Sequence, residues 1–200
     1  MLSPPFQYPR LKHMKRVIHS LIIGSLALLS CLPSRADQMI PLPIEKLSAR
    51  ADLVLHGTVT STTVRRDPAG RIYTAVDLQV EEVWKGSLTA SHFTVVHGGG
   101  VLGEEASVVS GEAEYSVGEE LVCFLVLNQR GEGVSIGLSQ GKFNVWTDPA
   151  TGEKLAHNRF HGLHPSAANP SPSAVPSRAT PIIDRLTLAD LKQKAVGGAK

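Results

Sequence analysis

Apolar and polar positions alternate through most of the middle of the chain. DLVLHGTVTSTTV (52–64) is rich in β-branched residues. RIYTAVDLQVEEVW (71–84) sets Ile72, Thr74, Val76, Leu78 and Val80 on one face, the period-two signature of a strand. Between them DPAG (67–70) is a turn by its chemistry, because Pro68 presets φ and Gly70 accepts a positive one, so the two runs predict a hairpin. The alternation slips at Glu81-Glu82 before Val83, as a β-bulge would make it do. HFTVVH (92–97) predicts a third strand, and the glycine-rich stretch after it an irregular excursion. ELVCFLVLN (120–128) is apolar without interruption, the mark of a central strand covered on both faces. GVSIGL and GKFNVWT read as two more strands, and DPATG (148–152) as another turn.

Helical patterns flank this region. In PLPIEKLSARA (41–51) Pro43 suits a helix start, and Ile44 and Leu47 share a face. In PIIDRLTLADLKQKA, Thr187 is placed to cap a helix with Asp190 at its third position, and Ile183, Leu186, Leu188 and Leu191 form an apolar stripe that should dock on the strands. PSAANPSPSAVPSRATP (165–181) lacks large apolar residues and predicts an extended, disordered linker. About six strands joined by turns describe a closed or nearly closed β-barrel, which removes exposed strand edges. The expected organisation is a leader over 1–36, a barrel over 40–157, a linker over 158–181 and an amphipathic helix over 182–196.

The leader alters the charge picture. Lys15 and Arg16 precede an apolar run from Val17 to Leu32, Pro33 breaks it, and Ser34-Arg35-Ala36 offers small residues to a signal peptidase, so cleavage would free Asp37. Met14 is a plausible functional start. Leu28-Leu29-Ser30-Cys31 offers a second ending, a lipobox-like site at which Cys31 would be lipidated. Either ending predicts export to the periplasm or beyond, with membrane attachment only through an uncleaved leader or lipidated Cys31. Residues 1–36 hold five basic and no acidic side chains, which leaves 15 basic against 18 acidic in the remainder despite the overall charge of +2. No basic cluster there can neutralise a run of phosphates, which argues against nucleic-acid binding. Cys123 stands alone after the leader and reads as a buried, unreactive thiol.

Candidate chemistry begins with GLSQG (137–141), which matches the Gly-x-Ser-x-Gly elbow of serine hydrolases. An elbow needs a helix after Ser139, whereas KFNVW alternates as a strand, so Gly137 and Gly141 are expected to bend the backbone between strands. His157, His161 and His164 have helix-face spacing suited to zinc, but Gly162 and Pro165 oppose a helix there, and solvated histidines are expected. His56, His92 and His97 lie in or beside strands and could meet across a sheet. Gly98-Gly99-Gly100 lacks the following helix of a phosphate loop. The adjacent pairs Glu81-Glu82, Glu104-Glu105 and Glu119-Glu120 point to opposite faces of a strand and form no acid/base pair. No catalytic set and no cofactor is implied.

The segments ADLVLHGTV, YTAVDLQVEEVWKG, FTVVHGGG, YSVGEELVCFLV and LSQGKFNVW, taken in order, resemble a group of exported bacterial proteins of uncharacterised role. They also resemble the netrin-like module, the OB-type barrel of tissue inhibitors of metalloproteases. The resemblance spans about residues 45–147. It implies a mainly β fold, a small OB-like (netrin-like) barrel with a short N-terminal helix, and structural roles for Trp84, Lys85, Gly86, Gly118, Glu119, Gln140, Gly141, Lys142 and Phe143. Those inhibitors engage the protease metal through an N-terminal cysteine held by disulfides. Here Asp37 would lead the chain and Cys123 has no partner, so that mechanism is not expected. A non-catalytic module binding a protein or envelope ligand is the expectation, with a protease-inhibitor-like module as the alternative and a Ser139 hydrolase third.

Overall fold

A computed structural model describes residues 40–162 and 185–197. The leader, with Cys31, Ala36 and Asp37, lies outside the described residues, as do Ile183 and the segment holding His164.

The first helix forms where its pattern predicts. Pro43 precedes α1 (Ile44–Arg50) and its carbonyl accepts from the amides of Lys46 and Leu47, while Ile44 and Leu47 are buried. Strands β1 (Leu53–Arg66) and β2 (Ile72–Lys85) pair as the expected hairpin. Asp67 shapes the turn: its Oδ1 accepts from the amides of Ala69 and Arg71, each at 2.9 Å. Register passes from His56↔Glu82 to Gly57↔Val80, so Glu81 is the extra residue of a bulge at the predicted slip.

Strand β3 (His92–Gly98) lies antiparallel to β2. The following stretch, expected to be irregular, contains a small two-stranded ribbon, β4 (Gly100–Leu102) with β5 (Glu105–Ser107), and the glycine run leads into that ribbon. Central strand β6 (Glu120–Leu127) pairs with β1 along one edge. Its other edge is shared end to end by β7 (Gly133–Ser135) and β8 (Lys142–Thr147). β3 and β7 meet in parallel at Val95↔Gly133. A further strand, β9 (Lys154–His157), which the sequence pattern did not predict, closes a hairpin with β8 across the DPATG turn. These seven strands form one sheet in the order β1-β2-β3-β7-β6-β8-β9, with β1 pairing β6 as well as β2.

GVSIGL is only half a strand. After Ser135 the chain turns at Gly137 (φ 61°) and Leu138 (φ 62°), then coils through one turn of 3-10 helix, Leu138–Gly141. The pairing of β8 with β6 is offset from that of β7 by five residues, and this surplus is what the turn takes up. The expectation that GVSIGL is a strand throughout is thereby corrected, and the chain bends between the two strands over Gly137–Gly141.

Two cores flank β6. Leu121, Cys123 and Leu125 join Leu53 and Leu55 of β1, Val76 and Leu78 of β2, and Val95 of β3. Val122 and Phe124 face the other way, into a core with Leu47, Trp84, Phe143, Leu186 and Leu191. The C-terminal helix α2 (Leu188–Gly197) therefore docks on the sheet, as its stripe predicts. Thr187 caps it by accepting from the Asp190 amide at 3.0 Å, and Ser48 of α1 donates to the Ala195 carbonyl. Packing also continues beyond residue 157, since Phe160 and His161 are buried.

Truncating Leu191, which is fully buried, should show how far α2 belongs to the fold. Leu191→Ala is expected to lower the unfolding free energy by about 2–4 kcal/mol, and Val196→Ala, at the 49 % exposed Val196, by no more than about 0.5 kcal/mol. Urea titration measures both.

Candidate functional site

Ser139 is half-buried in the 3-10 turn, and its amide donates to the Gly111 carbonyl at 3.0 Å. Among the described residues no imidazole bonds its hydroxyl, and β8, not a long helix, begins three residues later. The geometry of an activated serine is absent there.

Residues 84–86, 118–119 and 140–143 sit at joints between elements. Trp84 packs in the helix-side core and donates to Glu82 Oε2 at 2.9 Å, beneath Lys192 of α2, which also pairs with Glu82. The bonds from Lys192 and Trp84 hold the Glu82 carboxyl below its ordinary pKa. Lys85 Nζ donates to the Ser48 carbonyl near the end of α1 at 2.7 Å. At Gly86 (φ 86°) a Cβ would stand 2.5 Å from the Asp52 carbonyl oxygen, so no other residue fits. Gly118 donates to the Val59 carbonyl at 2.8 Å. Lys142, buried, reaches Glu119 Oε2 at 2.7 Å and the Glu114 carbonyl, and lies 4.9 Å from the centre of the Tyr115 ring. Gln140 Oε1 accepts from the Leu42 amide, and its carbonyl accepts from Asn158, each at 2.8 Å. At Gly141 a Cβ would meet the Ile136 backbone at 2.7 Å, and Phe143 is fully buried against Phe124 and His161.

The histidines near the linker differ from expectation. His157 sits on β9 and is buried; His161 is buried with Nε2 2.9 Å from the Leu42 carbonyl oxygen. Burial lowers the His161 pKa, and the bond to Leu42 opposes this only in part. Strand β9 and the packing of Phe160 carry these rings inward, where a solvated cluster was expected. His97 stacks on Tyr115 with ring centres 5.5 Å apart.

His56 meets carboxylates instead of other histidines. Among the described residues the one group able to surround a cation is His56, Glu81 and Glu120, whose ligand atoms all lie within 4.8 Å of one another. His56 Nε2 is 2.7 Å from Glu120 Oε1 and 3.8 Å from Glu81 Oε2. Its Nδ1 is buried and makes no hydrogen bond. Lys154 of β9 reaches Glu120 Oε1 at 2.7 Å, and Thr58 donates to Glu81 Oε1 at 3.0 Å. Burial pushes the Glu120 carboxyl up, but the bonds from Lys154 and His56 prevail and its pKa is lowered. The bulge builds this site: it sends the Glu81 carboxylate to His56 while that of Glu82 goes to Trp84 and Lys192.

A separate open groove of about 770 Å³ lies among the β1–β2 turn, the β4–β5 ribbon and the β6–β7 turn. Arg130 lies 5.3 Å from the centre of the Tyr73 ring in it. Each arginine at the groove is paired: Arg66 with Glu105 at 2.9 Å, Arg71 with Asp67 at 2.7 Å, and Arg130 with Glu132 at 2.6 Å.

No protein-family profile matches the chain, and no curated protein is significantly similar to it.

Two outcomes follow from the geometry of these joints. Burial pushes the Cys123 thiol up to about 12, so peptide mapping should find it alkylated at pH 8 roughly a thousandfold more slowly in the native than in the unfolded protein. Lys142→Met should cost about 3 kcal/mol in a urea titration by removing the ammonium from Glu119 and leaving its carboxylate only the Ser116 amide, and Lys142→Met with Glu119→Gln should cost less than the two single changes together.

Proposed function

We propose that the protein is an exported, non-catalytic interaction module, built as an OB-type barrel, which takes a protein partner in the groove between its β1–β2 and β6–β7 turns. The barrel is supported by a circuit of pairings, β1 to β2, β2 to β3, β3 to β7, β7 to β6 and β6 back to β1, in which only β3 and β7 are parallel. In such barrels the corresponding loops frame the ligand. Export is supported by the Lys15-Arg16 n-region, the apolar run and the Ser34-Arg35-Ala36 ending.

The observation that carries the binding reading is the groove itself. Its guanidinium groups are already neutralised by carboxylates, which disfavours a polyanion and suits a surface of mixed polarity. Val109 in its wall, Val101 on the neighbouring ribbon and Val108 just after it are exposed, which sets apolar side chains beside a polar, charge-paired rim. The hydrolase reading has no activated Ser139 to rest on, and the inhibitor-like reading rests on the resemblance alone.

A photo-cross-linking residue at Gln129, exposed in the groove, should capture a protein in the envelope fraction. The same residue at Lys46 on α1 should not, and Tyr73→Ala with Arg130→Glu should abolish capture from Gln129. Equal capture from both positions, or none from Gln129, would defeat the reading. Intact mass of the exported chain should begin at Asp37, or carry an acyl group on Cys31.

A further inference from the structure

We infer that His56, Glu81 and Glu120 form a binding site for a divalent transition-metal ion of the zinc class, with Lys154 as the cation that occupies its mouth when the metal is away. The donor set is one imidazole and two carboxylates, drawn from three strands that the sheet holds in fixed register. His56 is 4 % exposed and tied down only through Nε2, the nitrogen that faces both carboxylates. Such a set matches the nitrogen and oxygen ligands zinc-class ions accept at about 2.0–2.2 Å, which places ligand atoms about 3.3 Å apart around a tetrahedral ion. The present separations of 2.7 Å and 3.8 Å bracket that spacing. Glu81 is 42 % exposed on its side-chain surface and can swing inward, leaving a coordination position open to water.

Charge argues in the same direction. Two carboxylates face a single ammonium, and a divalent ion would balance both. Binding needs only that Lys154, itself half-exposed, release Glu120 and turn to solvent, and that the His56 ring carry its proton on Nδ1, which leaves the Nε2 lone pair for the ion. Lys154 is therefore an antagonist of the metal. A purely ionic cluster would attract cations without a saturable one-to-one site and without ligand-field absorption from Co²⁺, which separates it from a metal site.

The test is calorimetric titration of the purified, metal-stripped protein with Zn²⁺, with Co²⁺ absorption as a second reading. One Zn²⁺ per chain is expected. Glu81→Gln and Glu120→Gln should each weaken binding roughly tenfold or more, and Lys154→Met should tighten it several-fold. Circular dichroism establishes that each variant is folded, and since Glu81 and Lys154 are both partly exposed, neither change strips a core. The inference is overturned if the wild type binds no Zn²⁺ up to about 1 mM, equivalent to roughly −4 kcal/mol. It is equally overturned if Glu81→Gln and Glu120→Gln leave the affinity unchanged, or if Lys154→Met weakens it. None of these outcomes depends on the groove having a partner.

Discussion

A strand buried on both faces and paired along both edges has no freedom left, and β6 is such a strand. Leu121, Cys123 and Leu125 are committed to one core, Val122 and Phe124 to the other, and each of these five side chains is fully shielded from water. At about 1.5–3 kcal/mol for burying a large apolar side chain, covering only one face would forfeit a sum comparable to the stability of a domain. The fold answers with two covers. Strands β1, β2 and β3 supply the first, and α1, α2, Trp84 and Phe143 the second. This is why a helix separated from the sheet by a long Pro/Ser-rich stretch nonetheless returns to it.

The second edge of β6 imposes its own requirement. Two short strands must share it in different registers, so surplus chain has to be stored between them without leaving buried backbone groups unpaired. GLSQG stores it. Leu138 at φ 62° carries a backbone cost of about 1–2 kcal/mol, which the surroundings offset: the Ile136 amide returns to the Phe124 carbonyl, the Ser139 amide finds Gly111, and Gln140 bonds Leu42. A pattern that resembles a nucleophile elbow is here the joint between two strands. The Lys142–Glu119 pair then pins the 108–119 excursion beside that joint, where Tyr115 covers Cys123.

Local chemistry was legible in the sequence wherever one segment decides its own shape. The DPAG turn, the bulge at Glu81, the uninterrupted run of β6, and the Thr187 cap each follow from neighbouring residues. What required partners was not. KLAH is too short and mixed to declare itself a strand, and β9 exists because β8 offers it an edge. Once it forms, His157 and His161 are drawn inward, which no spacing rule anticipates. The His56 cluster joins residues 56, 81 and 120 through the pairing of β1 with both β2 and β6, an arrangement invisible until register is known. The slip at Glu81 was its single visible trace.

The groove and the cluster also differ in how their charges are closed, and this separates their chemistry. At the groove every arginine has a carboxylate of its own, so the field there is short-ranged and little charge is offered to a distant ion. At the cluster two carboxylates share one lysine and a histidine, and the histidine is almost wholly removed from water. The bonds from Lys154 and His56 outweigh the burial of Glu120, while Glu81 lies nearer solvent and accepts from Thr58. Trp84 and His56 lie 5.8 Å apart there, at the border of the helical cover. The groove's charges are closed pair by pair, whereas the cluster sets two carboxylates against one lysine and a buried histidine.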